Sequence, residues 1–242
     1  MKVDAESSLR SSFDAVIFDY HGTVAEHDGQ GRTLAAVLDE RGYHLPRDLA
    51  RYYWQDGIDG KEHLEHSQSR EQYQAWRRHW LHQLLGECGV PPSDYEEIEA
   101  VLADPAARGR MVALPDAHGV LGALAANGVA IAICSNWDWD LHESITESGL
   151  TAEFDVVVSS AWVGARKPHE TIYRHTLAAL DVEPERALFV GDTWACDVDG
   201  PRRMGMTPLY VRGDAREPDH TAPSDAVAQQ LVDVLDAVGL YV

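Results

Sequence analysis

Three short apolar runs in this chain end on residues that can do chemistry, and a fourth reactive residue follows another such run. AVIF is followed by Asp19, VAIAIC by Ser135 and Asn136, and ALFVG by Asp192, while Lys167 comes after FDVVVSS, in VGARKPHE. Short apolar runs rich in valine, isoleucine and alanine read as strands buried on both faces, and polar groups at the carboxyl ends of such strands converge on one crevice. The crevice would then hold aspartates, a hydroxyl and an ammonium. Asp19, Asp192 and the nearby Asp197 carry too much negative charge to be left together unpaired, and carboxylate oxygens with water form a donor set that suits Mg²⁺. His21 sits two residues after Asp19. In an extended segment such positions point to the same side, so both side chains face the crevice. An imidazole with an ordinary pKa of about 6.5 donates and accepts protons near neutrality, and nearby carboxylates raise that value.

The elements that must position these groups alternate. Strands are expected at 14–18, 129–134, 154–160, 187–191 and 207–212. Between and after them lie helical patterns. PDAHGVLGALAANG has Pro115 near its first turn and Gly128 as C-cap, and PHETIYRHTLAALDV starts with Pro168, which sets Lys167 at the start of that helix. DVDGPRRMGM makes a shorter turn of helix, and SDAVAQQLVDVLDAVG reads as a C-terminal amphipathic helix capped by Ser224. Strands alternating with helices imply right-handed crossovers and an α/β, doubly wound parallel sheet. Residues 26–110 break the rhythm. They contain no convincing buried strand, and RTLAAVLDERG, DLARYYWQDG and REQYQAWRRHWLHQLLGECG are helical in pattern. The expected organisation is a disordered tail over 1–12, a core of 13–25 with 111–242, and an all-α cap inserted over 26–110.

Net charge is −20, from 20 basic and 40 acidic residues. A nucleic-acid backbone or an anionic membrane surface would be repelled overall, while a small anionic substrate feels only its local pocket. No apolar stretch approaches the roughly 20 residues that cross a bilayer, and the N-terminus lacks an apolar signal core. The three cysteines, Cys88, Cys134 and Cys196, show no metal-ligand spacing, which fits a reducing cytoplasm. A small anionic molecule is the expected partner; a protein partner is compatible with the sequence but not indicated by it.

Read in order, DYHGT at Asp19, SN at 135 and 136, RKP around Lys167, and GDTWACD from Gly191 resemble the four motifs of the haloacid dehalogenase-like superfamily. The resemblance covers residues 14 to about 212, with a helical insertion between the first two motifs. It implies a phosphatase acting on a small phosphorylated metabolite. Asp19 would be the nucleophile that forms an aspartyl intermediate, Ser135 would hydrogen-bond the transferring group, and Lys167 would neutralise charge on both. It further implies Mg²⁺ held by the Asp19 carboxylate, the His21 backbone carbonyl and Asp192, with Asp197 supporting its water shell, and it counts Thr23 and Asn136 among the substrate-binding residues.

His21 departs from the pattern, because family phosphatases place an aspartate there to protonate the leaving alkoxide and activate water. Relatives that differ at this position include dehalogenases, which carry a tyrosine and lack the fourth-motif pattern kept here. Two other readings stand beside the phosphatase. One is a HAD-fold enzyme catalysing displacement, cyclisation or transfer on an activated sulfate, phosphate or halide; the other is a catalytically degenerate binding partner. Within the insertion, Arg70 and Arg77 are candidate contacts for an anionic substrate, against the plainer reading of solvated surface arginines. His63 with His66, and His79 with His82, have the i, i+3 spacing of paired ligands but no carboxylate or cysteine partner. Trp76, Trp80 and Tyr73 are expected in the core of the cap.

Overall fold

A computed structural model describes residues 13–29, 31–53, 57–104, 109–151, 153–211 and 227–240. Six parallel strands form the central sheet: β1 (Ala15–Phe18), β4 (Ala130–Ser135), β5 (Val156–Ser159), β6 (Ala187–Gly191), β7 (Thr207–Val211) and β8 (Val227–Ala228), in the order β5-β4-β1-β6-β7-β8. The chain runs outward from β1 through β4 to β5, then returns to build β6, β7 and β8 on the other side. The direction reverses at β1, and the crevice at the carboxyl ends of the strands opens at that switch point. Alternate residues serve opposite faces. Val16, Phe18, Ile131, Ile133, Leu188 and Val190 enter one buried cluster, and Ile17, Ala132, Cys134 and Phe189 enter the other. Burial on both faces is why these runs carry no polar alternation.

Helices α5 (Ala117–Ala126), α6 (Leu141–Ser148), α7 (Ser160–Val163), α8 (Glu170–Leu180), α9 (Gly200–Arg203) and α10 (Asp233–Ala237) cover the sheet. Gly128, at φ +71, follows the end of α5 and lets Val129 N reach back to Leu124 O at 3.1 Å. The chain crosses between core and insertion twice, through β2 (Ala25–His27) and β3 (Met111–Ala113), which pair antiparallel with His27 opposite Met111. Between them lie α1 (Leu34–Asp39), α2 (Arg47–Arg51), α3 (Arg70–Glu87) and α4 (Tyr95–Ala103), so the inserted cap is helical. Ser69 caps α3 by accepting from Gln72 N at 3.3 Å, and Leu84 and Leu85 bury its inner face with Val37, Leu38 and Ile98. Trp80 packs against this cluster, and Tyr73 is buried.

Three expectations change. The C-terminal helix is shorter, because Val227 and Ala228 pair with Tyr210 and Val211 as β8. The Asp233 carboxylate then accepts from Gln229 N at 2.8 Å and Gln230 N at 3.0 Å, so the helix starts only there; Ser224, Arg212 and the tail over 1–12 lie outside the described residues. Lys167 does not begin a helix: α7 and a left-handed Gly164 intervene, and α8 starts at Glu170. β2 takes in Glu26 and His27, the first two residues of the expected insertion. Among the described residues, no helix is long and apolar enough to cross a membrane.

Candidate active site

Asp19 leaves the end of β1 with its N–H bonded to Val190 O at 2.8 Å, which fixes the carboxylate between β1 and β6. Lys167 Nζ lies 3.0 Å from Asp19 Oδ1 and 2.7 Å from Asp197 Oδ1, with the Lys167 side chain 1% exposed and Asp197 fully buried. Thr193 N donates to the other Asp197 oxygen at 2.8 Å. Asp197 can tuck under β6 only because residue 191 is glycine: a Cβ there would stand 2.3 Å from Asp197 Cγ. Asp19, Asp192 and Asp197 each offer an oxygen, all within 4.8 Å of one another; among the described residues no other cluster of three such groups occurs.

Two of these carboxylates, Asp19 and Asp197, therefore share the Lys167 ammonium, with Asp192 close by. Burial alone would drive the Lys167 proton off, but the Asp19 and Asp197 carboxylates overcome it and hold the ammonium well above its usual range. Burial pushes Asp197 up to about 7, with Lys167 pulling the other way and Asp19 adding to the rise. Asp19 Oδ1 is enclosed, with Lys167 Nζ as an ion-pair partner and no aligned hydrogen-bond donor. Surplus negative charge and an all-oxygen donor set fit a hard divalent cation.

A cavity of about 460 Å³ opens over this cluster, and Asp19, His21, Ser135, Asn136, Lys167 and Asp192 all line it. His21 is exposed, with its ring centroid 5.4 Å from His27 and 6.2 Å from Trp137. Asn136 grips the Lys167 backbone twice. Its Nδ2 donates to Lys167 O at 2.9 Å and its Oδ1 accepts from Lys167 N at 2.7 Å. Asp197 lies behind the wall, engaged by Lys167. Thr23 is fully buried, does not line the cavity, and its hydroxyl has no partner among the described residues. Arg70 is not brought to the site: it pairs with Glu143 at 2.6 Å on the exposed surface. Arg77 reaches a second compartment of about 370 Å³, which shares Asn136, Trp137 and Arg166 with the first, and its Nε stands 3.3 Å from Asp138. His63 and His66 both stack on Trp76, with ring centroids at 4.8 and 5.2 Å, instead of converging as ligands.

Sequence reasoning missed Asp59, Trp137, Arg166, Thr193 and Cys196, which also line the first cavity. Arg166 and Trp137 are chain neighbours of residues it did single out, and that adjacency was the available signal. Asp59 had none. It belongs to the insertion, 77 positions from the Asn136 it bonds.

A model of the family described as haloacid dehalogenase-like hydrolase matches residues 13–205. Phosphoserine phosphatase of Thermus thermophilus is 31% identical over 217 residues, 85% of this chain and 86% of that protein. Haloacid dehalogenase-like hydrolase domain-containing protein 3 of Mus musculus is 38% identical over 103 residues; the match spans 43% of this chain and only 40% of the mouse protein. The solved structure of L-2-haloacid dehalogenase from Xanthobacter autotrophicus is similar with a TM-score of 0.58 at 25% identity, covering 94% of this chain and 98% of that one.

Proposed function

This chain belongs to the haloacid dehalogenase-like hydrolases, and from that premise we propose that it is a phosphatase acting on a small phosphorylated metabolite, with Asp19 as nucleophile and Mg²⁺ as cofactor. The observation that carries the reading is the Asp19–Lys167–Asp197 cluster with Asp192 beside it at the floor of the cavity. Asp19 and Asp192, with the His21 backbone carbonyl, would hold Mg²⁺, which when bound would neutralise the phosphoryl oxygens and the charge that develops on them.

The chain's own residues then have defined work. The Asp19 carboxylate attacks phosphorus in line; the bond to the leaving oxygen breaks and its electron pair departs with that oxygen. The His21 imidazolium, at the same cavity, gives its proton to the leaving alkoxide. Neutral His21 next accepts a proton from the water that attacks the phosphorus of the aspartyl intermediate, which restores Asp19 and releases phosphate. The Lys167 ammonium holds the carboxylate aligned and balances charge on the transferring group, and Ser135 donates to that group. Asp197 keeps Lys167 in place.

A second reading, displacement or transfer on another activated substrate, draws on the imidazole at position 21, where family phosphatases carry an aspartate. Release of phosphate from a panel of phosphorylated metabolites separates the two. The phosphatase reading expects wild-type turnover, a fall in kcat of about 10²- to 10⁴-fold in His21→Ala, and retained turnover in His21→Asp. If His21→Asp creates a phosphatase that wild type is not, the second reading stands instead.

A further inference from the structure

One strip of the cap is sewn directly onto the loop that carries Lys167. Gly60 N donates to Lys167 O at 3.1 Å, Arg166 N donates to Lys61 O at 3.2 Å, and His63 N donates to Gly164 O at 2.6 Å. Glu62 and Ala165 form an antiparallel bridge between them. The approach is close enough to need glycine in the core loop: Gly164 sits at φ +76, and a Cβ there would stand 2.6 Å from Leu64 Cα.

Asp59 opens this strip. Its Oδ1 accepts from Arg166 Nε at 2.8 Å and from Asn136 Nδ2 at 3.1 Å, with the Arg166 side chain 7% exposed. Asn136 is also the residue that grips Lys167 on both backbone atoms. The Lys167 carbonyl thus takes one donor from the cap, Gly60, and one from the core, Asn136, which uses both of its lone pairs. The carboxylate has a second duty, since it compensates the guanidinium buried next to the reactive lysine.

We propose that Asp59 is a positioning residue that couples the seating of the cap to the placement of the Lys167 ammonium at Asp19. It acts through Asn136 and Arg166 and needs no contact with the phosphoryl group. The assignment rests on the phosphatase reading for its kinetic consequence but not for its geometry. A cap that is not seated leaves Asn136 and Arg166 without their shared acceptor, so the lysine is aligned only when the cavity is covered.

The test compares Asp59→Ala, Asp59→Asn, Asn136→Ala and the Asp59→Ala/Asn136→Ala double variant, with p-nitrophenyl phosphate and Mg²⁺. Because Lys167 acts on charge that develops during reaction, Asp59→Ala should lower kcat by about 10- to 100-fold while KM stays within about threefold. Asp59→Asn keeps an acceptor oxygen for Asn136 but not the charge that balances Arg166, and should recover part of the loss. The double variant should lose less than the product of the two single losses, because the two changes cut a shared line. Hydrogen exchange at the Arg166 and Lys167 amides should quicken in Asp59→Ala. A kcat unchanged in Asp59→Ala, an effect confined to KM, or losses that multiply in the double variant each overturn the proposal. If wild type releases no phosphate, the phosphatase reading has failed and exchange alone decides; unchanged protection at both amides then overturns the role of Asp59.

Discussion

Lys167 is the residue on which the site turns, because its charge is both costly and necessary. An ammonium taken out of water is tolerated only beside carboxylates, and truncating one partner of such a pair costs about 3–5 kcal/mol. Asp197 provides the nearer partner at 2.7 Å, and Gly191 provides the room for Asp197. Gly191→Ala therefore tests the cluster without touching a charge. We expect it to destabilise the protein by at least about 1–3 kcal/mol in denaturant melts, the cost of forcing an extra methyl group into a packed site, and to lower turnover by displacing Asp197. Gly119→Ala, on α5 where an added Cβ meets nothing within 4 Å, should be neutral or stabilising by up to about 1 kcal/mol. Equal losses in the two variants would mean that the packing at Gly191 has no special part.

At the scale of elements, the cap and core meet along 60–63 and 164–167, and His63 lies within that seam. It is 5% exposed, its Nδ1 is 2.9 Å from Ser67 Oγ, and its ring stacks on Trp76. Burial, with the Arg166 and Arg77 charges nearby, pushes its pKa down to about 4. The folded chain therefore keeps His63 neutral where the unfolded chain, at about 6.5, would take up a proton. That contribution to stability is fully present above about pH 6.5 and is lost as pH falls towards 4, up to about 3 kcal/mol in all. Melting temperatures measured between pH 7.5 and 4 should fall less steeply in His63→Gln than in wild type, and parallel profiles would contradict the assignment. The same scale shows what sequence could reveal. Strands β1, β4, β5, β6 and β7 were legible because burial on both faces removes polar alternation. β8 was not, because Val227, Leu231, Val234 and Leu235 also satisfy a helical period, and only the free edge at Tyr210 and Val211 decides for a strand. Asp19, Ser135 and Asp192 were legible as reactive types at strand ends, and Lys167 as the cation of the RKP stretch that follows the third of the expected strands. Asp59 was not, since an aspartate in a short glycine-rich stretch (DGIDG) carries no period and its partners are brought to it only by tertiary packing.

On the proposed phosphatase reading, the whole molecule must combine a net charge of −20 with a site that admits an anion. That pairing is workable only if local positive charge outweighs the acidic surround where the phosphoryl group binds. Lys167 and Arg166, joined by His21 when its imidazole is protonated, are the cations lining the cavity, against Asp19, Asp59 and Asp192 in the same lining. Without a divalent cation the lining carries no surplus positive charge to draw in a phosphate ester, so the proposed metal dependence draws on the charge balance of the site as well as on its donor atoms. The direct measurement is phosphate release from p-nitrophenyl phosphate by wild type and Asp19→Asn, after chelation and again after Mg²⁺ is restored. The account predicts release by wild type that disappears with chelation and returns with Mg²⁺, and none above background from Asp19→Asn under any condition. Release that ignores chelation, or that survives in Asp19→Asn, would contradict it.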